Sequence, residues 1–424
     1  MNSNTRTIYI PQMSYVAAKA MSAAFKSVGA EAQPSPDSDE RTIELGSKYT
    51  SGDECYPEIV TLGNFLKVIE DESFDPKRTA FLLPTSFGPC RYGQYRPLLK
   101  KILKDKGLTD VAIVAPHSYD GYEGFESHAT NLMRTAWRSV IVSDILRKLQ
   151  LKTRPYECEP GMTDQVFDQG LNQVCEILAE QGISHKQRLG QLRNRLIDIR
   201  DRFRAIPAKY AKTKPLIGIV GEIYCRLNDF SNEFLIRRIE EHGGEVWISD
   251  IGEWIWYVND EQERRIASKG KRFSTEMLIA KIKFWIQKYD EHVLYQPFHD
   301  DFKGYEEAEK IREIMAHSEP YLPQSGALGE MVSSIGKAIH LYHKGADGVI
   351  DISPFTCMNG IVCEAIFPKV SQDHGNMPIR TFYFDGTQTN IDQDVGIFME
   401  MAQNYMQNKK ITRVYPDYFR STDL

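Results

Sequence analysis

Apolar and polar positions along the chain keep two alternating periods. The short run "TIYI" is followed by Met13, Ala17, Met21, Ala24 and Val28 at helical spacing, stopping at Gly29, which predicts a strand and then a helix. A second helix is expected from Pro57, after "ECYP", because proline's missing N–H is no loss in a first turn. Then come the strand "TAFLLPT", a helix carrying Tyr95, Leu98, Leu99, Ile102 and Leu103 with Gly107 as its stop, and the strand "VAIVAP". Repeated strand–helix units predict an α/β fold, a parallel sheet covered by helices on both faces.

From about Gly124 to about Ala208 the strand-like runs vanish. Phe167, Leu171, Val174 and Leu178 form one helical stripe, and Leu189, Leu192, Leu196, Ile199 and Phe203 form another. The Lys and Arg residues between those leucines read as a solvated face. The alternation restarts with "PLIGIVG", a helix bearing Phe234, Leu235, Ile236 and Ile239, and the strand "EVWIS". Ser274 is placed to cap the helix "TEMLIAKIKFWI". "ADGVIDISPFTCMNG" and "IRTFYFDGTQ" close the pattern. The expected organisation is a first α/β domain over 1–123, a helical insert or bridge over 124–213, and a second α/β domain over 214–424.

A chain of 424 residues, 42% hydrophobic, suits two cores. With 52 basic against 58 acidic residues the net charge is -6, so no sequence-wide basic field draws nucleic acid or anionic membrane. No export signal and no membrane-spanning run are legible, so a cytoplasmic protein is expected. The seven cysteines are odd in number, irregularly spaced and without a CxxC pair, which argues against a disulfide framework, a thioredoxin motif or a zinc ribbon. No G-x-G-x-x-G follows a strand, and "SSIGKAIH" lacks the glycine spacing of a P-loop. His340 and His343 share a helix side and read as a surface pair, one ligand short of a usable zinc site.

Three cysteines differ from the rest. Cys55, Cys90 and Cys357 each occupy a turn beside Pro or Gly just ahead of a predicted helix, two in the first domain and one in the second. Such turns gather at the carboxyl edge of open α/β sheets, where ligands bind, and a cleft between domains could bring all three together. Helix N-termini favour negative charge, and thiolates are ligands of choice for iron–sulfur clusters. Cys175 lies on the stripe with Val174 and Leu178 and reads as core; Cys158 and Cys225 read as plain structural thiols. Cys363, one and a half helical turns after Cys357, could approach the same site. Glu54, Glu222, Glu330, Glu364 and Asp385 compete, unranked, for any general-base role.

"SGDECYPEIVTLGNF", "LPTSFGPCRYGQY", "GEIYCRLNDFSNEFLIRR" and "GADGVIDISPFTCMNGIV" together resemble the 2-hydroxyacyl-CoA dehydratase superfamily, in particular the C-terminal module of acyl-CoA dehydratase activase-related proteins. The likeness extends over nearly the whole chain, and the motifs around Cys90 and Cys357 are its most specific part. It implies two Rossmann-like domains holding an iron–sulfur cluster in their cleft, usually 4Fe-4S, with Cys55, Cys90 and Cys357 as ligands. A double-cubane cluster with more cysteines occurs in a related branch. The resemblance also implies anaerobic chemistry and a separate ATPase activator with its own cluster as electron source. One electron placed on the carbonyl of an acyl-CoA thioester lets the α-hydroxyl leave and is then recovered. Reduction of another small molecule is the sister activity, and an electron-carrier, cluster-delivery or structural zinc protein is the rival reading. Pairing as a homo- or heterodimer stays open.

Overall fold

The computed structural model describes residues 6–85, 90–115, 129–324, 329–387 and 390–419. The expected turn at Gly88 and Pro89 and the domain boundary near Gly124 lie outside them. The chain forms two compact units, one of Met1–Ser143 with Leu171–Asn194, the other of Asp144–Gly170 with Arg195–Leu424.

The first unit contains β1 (Thr7–Ile10), α1 (Tyr15–Lys26), β2 (Ala32–Pro34), α2 (Glu40–Ser47), α3 (Tyr56–Glu70), β3 (Thr79–Leu82), α4 (Tyr92–Asp105) and β4 (Ala112–Val114). Its four strands are parallel in the order β2-β1-β3-β4. Successive side chains of β3 alternate between faces, as the pleat requires. Ala80 and Leu82 join Ile8, Ile10, Ala24 and Phe25, while Phe81 and Leu83 join Phe65, Leu66, Tyr95 and Leu99. Each fully buried leucine or phenylalanine contributes roughly 1.5–3 kcal/mol. Ser14 caps α1 by accepting from the Ala17 N–H, and Asp39 forms a capping box with Thr42 at α2. Helices α2 and α3 meet backbone to backbone: a Cβ at Gly46 would stand 2.1 Å from the Ile59 carbonyl oxygen, and one at Gly63 1.9 Å from that of Thr42.

Three helices follow, α5 (Ala129–Thr153), α6 (Met162–Ala179) and α7 (His185–Arg204). Each is divided between the two units. The stripes of α6 and α7 are buried at Phe167, Leu171, Val174, Leu178, Leu189, Leu192, Leu196, Ile199 and Phe203. Arg188, one residue before the second stripe, is also fully buried, its guanidinium donating to Thr135 Oγ1 at 3.0 Å.

The second unit adds β5 (Leu216–Gly221), α8 (Ile223–Leu227), α9 (Leu235–Glu241), β6 (Glu245–Ile248), α10 (Ile251–Ser268), α11 (Thr275–Tyr295), α12 (Ile311–Ser318), α13 (Glu330–His343), β7 (Gly348–Pro354), α14 (Met358–Asp373), β8 (Ile379–Phe384) and α15 (Ile391–Asn408). Its strands are again parallel, in the order β6-β5-β7-β8. The first strand of each unit is therefore flanked by the second on one side and the third on the other. The crevice that this reversal opens lies at the carboxyl ends of β1 and β3, and of β5 and β7.

Several expectations are corrected. Phe234 is not part of the apolar stripe of α9; it caps that helix at φ +59 and is exposed. His340 and His343 are not a surface pair: His343 is exposed, but His340 is buried beside Trp247, its Nε2 3.3 Å from the Glu306 carbonyl oxygen. Burial, followed by the charge of Lys337, pushes His340 down to about 4. Cys158 is an exposed turn residue and not a buried structural thiol, and Cys175 is only half-buried, whereas Cys225 is fully buried in α8. Ser274 caps α11 as expected, accepting from the Met277 N–H at 3.2 Å.

Candidate functional site

In the first unit Cys55 is the N-cap of α3, with Pro57 in the first turn. Its Sγ lies 2.7 Å from the hydroxyl of Tyr95 on α4, and Tyr95 packs edge-on to Tyr92 with ring centroids 5.0 Å apart. The guanidinium of Arg91 donates to the Asp53 carbonyl oxygen. Two hydrogen bonds thus tie the segment that begins with exposed Cys90 to the segment that ends with half-buried Cys55. The phenol of Tyr92 is pushed up by burial and then by the nearby Cys90 charge.

One turn into α3, Glu58 is 2% exposed, and its Oε1 meets no donor among the described residues. Burial, reinforced by the charge of Glu54 and opposed by Arg91, pushes its carboxyl up to about 7. Glu54 goes the other way. Burial would raise it, but N–H groups including those of Ser51 and Gly52 hold it below the usual carboxylate range.

In the second unit Cys357 is the N-cap of α14, directly past β7. It follows Thr356, whose φ of +67 is rare for a β-branched residue. The first turn of α14 presses on the strand end, where a Cβ at Gly360 would stand 1.8 Å from Ser353 Oγ. Burial pushes the Cys357 thiol up to about 12, while the N–H groups of Gly360 and Asn359 favour its thiolate. Phe355, Met358 and Ile361 around it are exposed apolar side chains. Cys363 is 2% exposed and packed with Phe367, Val370 and Ile335, its thiol raised by burial.

Carboxyls collect near Cys357. Glu222 follows β5 and caps α8, accepting from the Tyr224 and Cys225 N–H groups at 3.0 and 2.8 Å. Glu330 begins α13 and accepts from the Ile223 N–H at 2.9 Å. Asp351 lies within β7, 1% exposed, and accepts from Thr381 Oγ1 at 3.1 Å. Burial is the main cause of the upward shift in all three: Glu330 reaches about 8, with Glu222 adding to it, and Asp351 reaches about 7. Arg226 opposes each shift. Burial thus favours the protonated form of each.

The structure therefore ranks the five acids. Glu222 and Glu330 are desolvated, whereas Glu364 and Asp385 are exposed, accepting from the Tyr383 hydroxyl and from the Thr387 N–H and hydroxyl. Glu58 and Asp351 were missed. The signals for them were an acid one turn after a capping cysteine, and a lone carboxylate inside an apolar strand.

Among the described residues no group of three or more His, Cys, Asp or Glu side chains is arranged to hold a single metal ion. A multi-iron cluster takes its thiolates on different irons, so its ligands stand farther apart than those of one ion. The donor chemistry suits such a cluster: three thiols at helix entrances, two of them at N-cap positions, where the helix macrodipole favours negative charge. None of the described helices is long and apolar enough to cross a membrane. Comparison with protein-family models and with curated proteins finds no match.

Proposed function

We propose that the chain is an iron–sulfur protein of the 2-hydroxyacyl-CoA dehydratase type, with Cys55, Cys90 and Cys357 as cluster ligands and 4Fe-4S as the cluster. The observation that carries this reading is the shared architecture of the two units. Each winds its sheet in the same order, and each places a cysteine between the end of its third strand and the next helix. Recurrence of the same residue type at the same carboxyl-edge position supports a ligand role over a packing role, since core thiols such as Cys225 and Cys363 sit within helices.

When bound, such a cluster supplies a low-potential electron and, at an iron without a protein thiolate, a Lewis-acidic position for an oxygen ligand. The chain's own part is thiolate supply and proton control. The Cys357 thiol carries its proton in the unligated chain, so ligation releases that proton. Glu58, Glu330 and Asp351, desolvated and raised towards neutral pH, can give and take protons as a substrate's hydroxyl leaves or its carbon acid ionises, with Glu222 raised beside Glu330. Arg91, next to Cys90, is the nearest cation in sequence for an anionic substrate group.

The electron source in this reading is a separate ATPase. Mixing the protein under anaerobic conditions with an ATPase activator of that kind, a reductant and ATP should give an EPR signal of a reduced cluster, and omission of either activator or ATP should abolish it. Candidate 2-hydroxyacyl-CoA thioesters should then perturb the signal. Equal reduction by the chemical reductant alone would remove the activator, and a spectrum indifferent to every thioester would leave an electron carrier.

A further inference from the structure

Helix α11 is apolar on two opposite sides. Its inner side buries Met277, Ala280 and Leu294, packs Phe284 edge-on to Trp256 of α10 at 5.1 Å, and is pinned by Asn259 Nδ2 donating to Gln287 Oε1 at 3.0 Å. On the outer side Leu278, Ile282, Trp285 and Tyr289 recur at spacings of four, three and four, which places them on one line with Ile279 beside it. They are 58%, 50%, 67% and 49% exposed, Ile279 is 66% exposed, and Phe273, in the turn between α10 and α11, is 100% exposed. Taking about 150–250 Å² for an aromatic side chain and slightly less for an aliphatic one, the open apolar area is roughly 700–800 Å². The largest patch on an ordinary monomer is about 300–600 Å². This face is built to be covered.

Charge decides by what. From Lys269 to Tyr289 the sequence carries Lys269, Lys271, Arg272, Lys281, Lys283 and Lys288 against the single acid Glu276, in a chain of net charge -6. Lys288 turns inward over the Trp256 ring, 4.3 Å from its centroid, and Lys271 pairs with Glu276 at 3.5 Å. Lys269, Arg272 and Lys281 remain exposed beside the apolar line. A second copy seated on this face would set one basic rim against another. An anionic surface matches it, and a helix edged by Lys and Arg that presents Phe, Trp and aliphatic side chains has the composition of an element lying in a headgroup layer.

We propose that the α10–α11 hairpin is a membrane-docking element that rests on an anionic lipid surface, with Phe273, Leu278, Ile282 and Trp285 entering the headgroup boundary and Lys269, Arg272 and Lys281 meeting the phosphates. It lies on the surface and does not span it. The reading is independent of the cluster.

The test is flotation of the full chain with vesicles of phosphatidylcholine alone and of equal parts phosphatidylcholine and phosphatidylglycerol, at low and high salt. Binding to the anionic vesicles only, weakened by salt, is expected. Arg272→Gln and Lys281→Gln should each weaken it about fivefold, from about 1 kcal/mol per basic residue, and Leu278→Ser with Ile282→Ser should abolish it while the circular dichroism spectrum is unchanged. A blue shift of tryptophan fluorescence on binding should shrink in Trp285→Phe. No binding to anionic vesicles, or binding indifferent to these substitutions, would overturn the proposal. So would a dimer in light scattering that the Leu278→Ser, Ile282→Ser chain loses, or association with polyglutamate but not with vesicles.

Discussion

Thr356 holds φ at +67 immediately before Cys357, a conformation that costs a β-branched residue on the order of 1–3 kcal/mol. Thr356→Gly should therefore stabilise the chain by about 1 kcal/mol once glycine's extra unfolded-state entropy is subtracted. Denaturant unfolding measures this, and a loss of stability would show that the threonine side chain contributes more than its backbone costs. His340 makes a pH-dependent prediction. Its folded pKa, about 4, lies below its ordinary value, so the stability linked to it is present above about pH 6.5 and is lost as pH falls towards 4. His340→Gln should narrow the stability gap between about pH 7 and about pH 5 by about 1–2 kcal/mol; an unchanged gap in urea titrations would contradict the assignment. At this scale the turn cysteines were legible because Pro and Gly mark turns locally. The buried acids were less so: position beside a capping cysteine or inside an apolar strand marks Glu58 and Asp351 locally, but how far they are desolvated depends on the surrounding tertiary packing.

The entry of α14 is held by close contact between elements. A methyl at Gly360 would collide with Ser353 Oγ, so Gly360→Ala should cost about 1–3 kcal/mol, displace the first helical turn and lower the cluster content. Ser353→Gly in the same chain should recover part of both, and a double-mutant cycle without coupling would refute the contact. Gly46 and Gly63 do the same for α2 and α3; Gly63→Ala should destabilise the first unit by a similar amount, read by thermal unfolding. Strands β1, β3, β5 and β7 were legible as apolar runs, and helices α1, α3, α4, α6 and α7 by their apolar stripes or by a Pro in the first turn or a Gly just past the end. β2 has only three residues and α2 only eight, too little for a period to show. Phe234 misled because hydrophobicity continues one residue past the point where the backbone turns left-handed. His340 misled because its neighbours on α13 do not reveal that Trp247 covers it.

At the scale of the molecule, the repeated strand–helix signal announced two parallel α/β sheets, and both are present with the same strand order. Less legible was the division of α5, α6 and α7 between the units, since a helical stripe records that a face is buried but not what buries it. The proposed function rests on ligation of one iron–sulfur cluster by Cys55, Cys90 and Cys357. Its most direct test is iron and acid-labile sulfide measured per chain on anaerobically purified protein. Wild type, Cys158→Ala and Cys175→Ala should carry equal amounts, with the brown colour of a cluster, and Cys55→Ala, Cys90→Ala and Cys357→Ala should each lose most of both. Full iron and sulfide in all three of those variants, or zinc without sulfide in the wild type, would contradict it.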